Sequence, residues 1–223
     1  MNTDTVWTIG SILKWTEQYF CSKGVESPRL DAEVLLSHIL QKERIYLYVH
    51  FDEPLEAPEL ERFREMIKKR IQRIPVAYII GEREFMGLCF HVSPAVLIPR
   101  PDTEILVEAA IERLKKTGGQ RFADIGTGSG AIALSVVHYL PESAACAVDL
   151  SAEALAVARK NADQLGLSER VEFFCGDLYQ PVKTRCFDAI LSNPPYIPKA
   201  DIAGLEPEVR EFEPFSALDG GAD

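Results

Sequence analysis

The stretch Arg121-Phe122-Ala123-Asp124-Ile125-Gly126-Thr127-Gly128-Ser129-Gly130-Ala131 decides how the chain is read. A short apolar strand runs directly into a G-x-G-x-G turn, and the residues AIALSVVHYL that follow read as an apolar helix. A strand that ends in glycines and feeds a helix opens a parallel α/β unit. The glycines there allow a tight turn and a close approach of backbone to ligand. The dinucleotide-binding pattern wants its last glycine at position 131 but tolerates alanine, so spacing alone leaves a nicotinamide cofactor open.

Downstream the alternation continues. Residues 144–148 read as a second strand ended by Asp149, and Ser151 caps a helix reaching about Gly166. Residues 171–175 form a third strand ended by Gly176-Asp177, and 187–191 a fourth that leads into Asn193-Pro194-Pro195-Tyr196. Such alternation implies a parallel sheet with right-handed crossovers, whose ligands sit beyond the carboxyl ends of the strands. Four polar motifs arrive at that edge. Asp149, 23 residues past Gly126, is placed to accept hydrogen bonds from a ribose diol. Asp177 can accept from the exocyclic amino group of an adenine. Neither Pro194 nor Pro195 has an N–H, so their turn offers carbonyl oxygens, the Asn193 amide and an aromatic ring. That is an acceptor-rich pocket for a group carrying N–H2.

Upstream, residues 1–80 read as a small all-helical domain. One face carries Ile9, Ile12, Leu13, Thr16 and Phe20, and Ser27-Pro28 signals a second helix with Leu30, Val34, Leu35, His38 and Ile39 on its face. Leu60, Phe63, Ile67, Ile71 and Ile74 make a further helical stripe. Phe85, Leu88, Phe90 and Val92 suggest a β-hairpin turning at Met86-Gly87, within a linker spanning 81–101. A helix after it is capped by Asp102 or Thr103, buries Ile105, Leu106, Ala109, Ala110 and Leu114, and stops at Gly118-Gly119.

Composition excludes several classes. The net charge of -10 argues against a broad nucleic-acid footprint, and the imbalance lies in residues 81–223, with 13 Lys and Arg against 22 Asp and Glu. The basic cluster Arg62, Arg64, Lys68, Lys69, Arg70 and Arg73 reads as a solvated helix face, and Glu206, Glu208, Glu211 and Glu213 as a solvated loop. No run is apolar enough to span a membrane, and the N-terminus has no signal-peptide pattern, so a cytoplasmic monomer without membrane contact is expected. The five cysteines and four histidines show no metal-binding spacing, so no metal is expected and the thiols are read as reduced and structural.

DIGTGSGAIA, Asp149, the GDL at 176–178 and NPPY together resemble a class I S-adenosylmethionine-dependent methyltransferase. The small helical domain, the segment IPRPDTE and NPPY narrow this to the HemK-type release factor glutamine N5-methyltransferases, over essentially the whole chain. The resemblance implies a Rossmann-like parallel sheet in residues 102–223, with 1–80 recognising the protein substrate. It implies that Gly126, Thr127, Gly128, Ser129 and Gly130 pass beside the methionine part of S-adenosylmethionine. Asp149 would hold the ribose, Asp177 and Leu178 would flank the adenine, and Arg100 and Thr103 would lie near the cofactor entrance. Asn193, shared by both halves of the site, would act with Pro194, Pro195 and Tyr196 on the amide of a glutamine in a GGQ motif.

Related activities share these features: methylation of a ribosomal-protein glutamine, or of the exocyclic amine of adenine in nucleic acid. A cofactor-binding fold without catalysis is a further alternative. The family sheet has seven strands and only four are legible here. The chain is therefore expected to be a partial one, truncated after the fourth strand, and the 223-residue piece to bind its cofactor weakly.

Overall fold

The computed structural model describes residues 6–118 and 120–221, so Gly119 of the expected helix stop lies outside the described residues. The chain divides into two compact units, residues 1–80 and 81–223.

The first unit contains α1 (Ile9–Ser22), α2 (Pro28–Leu40), α3 (Arg44–Val49), α4 (Ala57–Ile71) and α5 (Val76–Ile80). In α1 the expected face is the buried one, and a capping box starts it: Ser11 N donates to Thr8 Oγ1 at 3.2 Å and Thr8 N to Ser11 Oγ at 2.9 Å. In α2 the buried stripe is displaced from expectation. Leu30 is exposed and Val34 and His38 half-buried, while Asp31, Glu33 and Leu36 turn inward. Electrostatics explains the displacement. Glu33 accepts hydrogen bonds from Arg29 Nε at 2.5 Å, Arg44 Nη2 at 2.7 Å and the Tyr48 hydroxyl at 2.5 Å. Burial works against its ionisation, but the donors Tyr48, Arg44 and Arg29 outweigh that and hold the carboxyl below the usual range. Asp31 pairs with Arg70 Nε at 2.7 Å with both side chains largely buried, so Arg70 is not part of a solvated basic face. Ser27 precedes Pro28 but its side chain caps nothing, and the α4 stripe ends at Ile71, with Ile74 packing on the same core from beyond the helix.

The second unit opens with the hairpin of β1 (Glu82–Phe85) and β2 (Leu88–His91), antiparallel with Phe85 opposite Leu88. Then come α6 (Asp102–Thr117), β3 (Arg121–Ile125), α7 (Ala131–Tyr139), β4 (Ala144–Asp149), α8 (Ala152–Gln164), β5 (Val171–Cys175), β6 (Ala189–Ser192) and α9 (Pro207–Phe212). The four strands β3 to β6 are parallel in the order β5-β4-β3-β6. The chain steps outward from β3 through β4 to β5, then returns to lay β6 on the other side of β3. That reversal is the kind of switch point at which open α/β sheets bind ligands.

Phe122, Ala145, Ala147, Val171 and Leu191 form one sheet face and pack with Val107, Ala110 and Leu114 of α6 and with Leu134 and Val137 of α7. The opposite face carries Ala123, Ile125, Cys146 and Val148 with Val182. Three expectations need correction. Pro101 is the N-cap of α6, so neither Asp102 nor Thr103 caps it. Thr103 and Glu104 are engaged by Asn193 and the Met86 N–H, and Ile105 and Ala109 are left facing out while Val107 takes the buried position. The fourth strand starts later than expected because Asp188 instead caps β3, accepting from Gln120 N at 2.8 Å and Arg121 N at 2.9 Å. Of the cysteines only Cys146 is buried; Cys21, Cys89, Cys175 and Cys186 are free and exposed. No helix among the described residues is long and apolar enough to cross a membrane.

One side chain ties the hairpin to the rest of this unit. Asn161 of α8 is wholly buried; its Oδ1 accepts from His91 N at 2.7 Å, and its Nδ2 donates to His91 O at 3.0 Å and Ser129 O at 2.8 Å. Asn161→Ala takes this partner from all three backbone groups, of which the Ser129 carbonyl is buried and the two of His91 are half-buried. We expect it to lower the unfolding free energy by about 2–4 kcal/mol in a urea titration. A loss below about 1 kcal/mol would mean that the orphaned groups find other partners.

Candidate active site

The switch point brings two turns together. Ile125 lies opposite Ser192 in the β3–β6 ladder, so Gly126 and Asn193 leave adjacent strands side by side. At the first turn Gly126 N and Thr127 N both donate to Val148 O, at 2.9 and 3.0 Å. Gly126 and Gly128 have φ of +74° and +57°, and a Cβ on either would point into open space. Side chains are excluded there by backbone conformation, and the surface beside the turn is left clear. Gly130, at φ +81°, has a second reason to be glycine: a Cβ would meet Leu134 Cδ1 at 2.9 Å and Ala158 Cβ at 3.3 Å, where α7 packs on α8.

The side chains of Thr127 and Ser129 are buried, so the turn faces outward through its backbone. Thr127 Oγ1 donates to Asp124 Oδ2 at 2.6 Å, and Ala133 N donates to the same oxygen at 3.2 Å, leaving Asp124 Oδ1 without a partner among the described residues. Asp124 is a residue whose individual importance the sequence reading missed. Its burial dominates, only partly offset by Thr127 and Ala133, and lifts its carboxyl from an ordinary 3.8 to about 6. Asp149 ends β4, as expected. Its Oδ2 accepts from Gly128 N at 2.8 Å and its Oδ1 from Ser151 N at 2.9 Å, so the carboxylate braces the glycine turn and retains lone pairs for a ligand. Asp177 and Leu178 are exposed past β5, Leu178 in the left-handed region at φ +45°.

At the second turn Asn193 is half-buried while Pro194, Pro195 and Tyr196 are exposed, the tyrosine at 75%. Asn193 Nδ2 donates to Thr103 Oγ1 at 3.2 Å, so Thr103 meets the acceptor turn. A cavity of about 480 Å³ opens here, with Arg100, Thr103, Asn193, Pro194 and Tyr196 in its wall and Leu205, Val209 and Leu218 among its apolar lining. Two anchors of this cavity were not legible. Glu213, expected in a solvated loop, is buried; it pairs with Arg100 Nη2 at 2.5 Å and accepts from Ile98 N at 3.2 Å. Gly220 lies against Tyr196 so closely that a Cβ would meet its backbone at 2.8 Å, and Gly220 N donates to Ile197 O at 2.9 Å.

The parts fit a nucleoside-bearing cofactor beside an amide acceptor: a cleared backbone cradle, a carboxylate at the end of β4, and an acceptor turn on the next strand. A family model described as the methyltransferase small domain matches residues 102–204, and one described as the PrmC N-terminal domain matches residues 11–81. The fold is similar to the hMettl16 catalytic domain solved in complex with the MAT2A 3'UTR hairpin 6. That match has a TM-score of 0.50 and 19% identity over 74% of this chain and 58% of that one. The second unit therefore has the Rossmann-like fold of a class I methyltransferase.

The relatives are more specific. The release factor glutamine methyltransferase of Geobacter sulfurreducens is 48% identical over 218 residues, covering 98% of this chain and 75% of that protein. That of Moorella thermoacetica is 49% identical over 200 residues, covering 90% of this chain and 70% of that protein. The chain belongs to the release factor glutamine methyltransferase family.

Asp124 gives the site a pH signature. Between about pH 4 and 6 the folded chain keeps a proton that the unfolded chain has released, so this group's contribution to stability falls as pH rises through that window. Asp124→Asn should remove this slope. Urea titrations from pH 4 to 6 should show wild-type stability declining relative to the variant by on the order of 2–3 kcal/mol. Parallel profiles would place the titration elsewhere.

Proposed function

We propose that this protein transfers a methyl group from S-adenosylmethionine to the side-chain amide nitrogen of the glutamine in the GGQ motif of a peptide chain release factor. The observation that carries this reading is the register of Ile125 opposite Ser192, which sets the glycine turn beside the Asn193 turn in a chain of this family. S-adenosylmethionine supplies an electrophilic methyl group on a sulfonium. The backbone of Gly126, Thr127, Gly128, Ser129 and Gly130 forms the wall beside its amino-acid part. Asp149 holds the ribose hydroxyls, Asp177 and Leu178 flank the adenine, and Asn193 borders the cofactor as well as the acceptor.

An amide nitrogen is a poor nucleophile because its lone pair is delocalised into the carbonyl. The Asn193 side-chain oxygen and the Pro194 carbonyl accept its two N–H bonds, which orients the nitrogen and favours its pyramidal form. Pro195 stiffens the turn, and Tyr196 packs its exposed ring on the planar amide. Catalysis is then mainly positioning by fixed dipoles. No side chain of the turn has to take the proton before transfer, because a nitrogen carrying a fourth bond gives it up readily.

The helical unit 1–80 serves to recognise the protein substrate, residues 81–101 connect it, and 102–223 carry the chemistry. In the same reading the enzyme works in the cytoplasm as a monomer, without direct contact to nucleic acid or membrane. The excess of acidic over basic residues in 81–223 supports the absence of a nucleic-acid footprint.

Incubation with a release factor and S-adenosylmethionine should add one methylene mass to the GGQ glutamine in peptide mass spectrometry. In the full-length enzyme Asn193→Ala should cut turnover by about 100-fold or more while calorimetric cofactor binding stays within about threefold of wild type. Unchanged turnover in this variant would remove Asn193 from the mechanism.

A further inference from the structure

Building on that reading, we propose that Thr103 is a positioning residue for methyl transfer: it holds the Asn193 amide so that the carbonyl oxygen, and not the nitrogen, meets the incoming glutamine. Asn193 Nδ2 donates to Thr103 Oγ1 at 3.2 Å, and both residues line the same cavity as Tyr196. A primary amide has two orientations of nearly equal shape, one presenting an acceptor and the other two donors. The substrate nitrogen brings only N–H bonds and the lone pair that must react, so the donor orientation would oppose N–H to N–H. Pro194 and Pro195, next along the chain, have no N–H with which to sort the two orientations. The Thr103 hydroxyl can donate as well as accept, so the orientation is fixed by both sides together: with the substrate N–H bonded to Oδ1, which has no other partner among the described residues, Thr103 Oγ1 accepts Nδ2 and holds the amide in that orientation.

Thr103 is itself held in place. Its N–H donates to Arg100 O at 3.0 Å. The Arg100 guanidinium is paired with Glu213, whose side chain is 2% exposed and whose second oxygen accepts Ile98 N–H at 3.2 Å. A buried carboxylate thus grips the segment 98–100 at two points, one turn ahead of Thr103. The hydroxyl reaches Asn193 across 90 residues of sequence from the first turn of a 16-residue helix, a rigid support for a group that must select one orientation.

Steady-state kinetics of the wild type, Thr103→Val and Thr103→Ser with a release factor substrate tests this, with calorimetric cofactor binding and thermal melting measured alongside. Valine keeps the shape and removes the hydroxyl. Its kcat should fall about 10- to 100-fold while KM for both substrates and the cofactor affinity stay within about twofold. Serine keeps the hydroxyl and should return kcat to within about threefold of wild type. A wild-type kcat in Thr103→Val overturns the proposal, as does a serine variant as defective as valine with both still folded. A loss expressed as weakened cofactor binding overturns it too, by assigning Thr103 to the cofactor entrance. A wild type that methylates no release factor overturns the parent reading and this one with it.

Discussion

The parallel ladder between β3 and β6 sets Ile125 opposite Ser192, and the site follows from that register. Each strand ends in a turn that no ordinary residue pair would make. One turn is built from glycines in the left-handed region, the other from prolines that donate no hydrogen bond. A slip of one residue would turn Leu191 out of the core and carry Asn193 away from Gly126. The apolar packing of Phe122 and Leu191 under α6 and α7 is therefore also what aligns the two turns.

Around that ladder, buried polar groups act as braces. Asp149 ties the glycine turn to the end of β4, Asn161 ties the same turn to the hairpin, and Glu213 grips the segment ahead of α6. Removing such groups from water is costly unless each finds partners, and most of them do. Asp124 is only half satisfied, one of its carboxylate oxygens having no partner among the described residues at full burial. Its raised pKa is the physical expression of that imbalance. In the helical unit the same rule gives the opposite sign: three donors surround Glu33 and keep it ionised despite burial.

Much of this was legible along the chain. Alternation of apolar runs with glycine and aspartate punctuation marks the four strands, because each boundary is written in adjacent residues. Asp149 and Asn193 could be singled out for the same reason: each sits immediately after its strand. What escaped notice depends on partners far apart in sequence. Asp31 lies off the apolar stripe legible in α2, yet Arg70, 39 positions on, pairs with it in the interior. Glu213 looked solvated in an acidic run, since nothing local announces a partner 113 positions earlier. Periodicity reports which face of a helix is apolar, but it misplaces the face when carboxylates are buried with matched donors, as in α2. Gly220 carries no local signal either, because its role is the closeness of another segment's backbone.

That closeness at Gly220 bears on how the protein comes into being. During synthesis the glycine turn, its carboxylate brace and the helices beside them are all available once β4 and α8 have left the ribosome. The Asn193 turn emerges later, and its far end stays untethered until Ile197 can exchange hydrogen bonds with Leu218 and Gly220. The glycine turn and its brace can thus form on the nascent chain while the Asn193 turn still awaits residues 218–220.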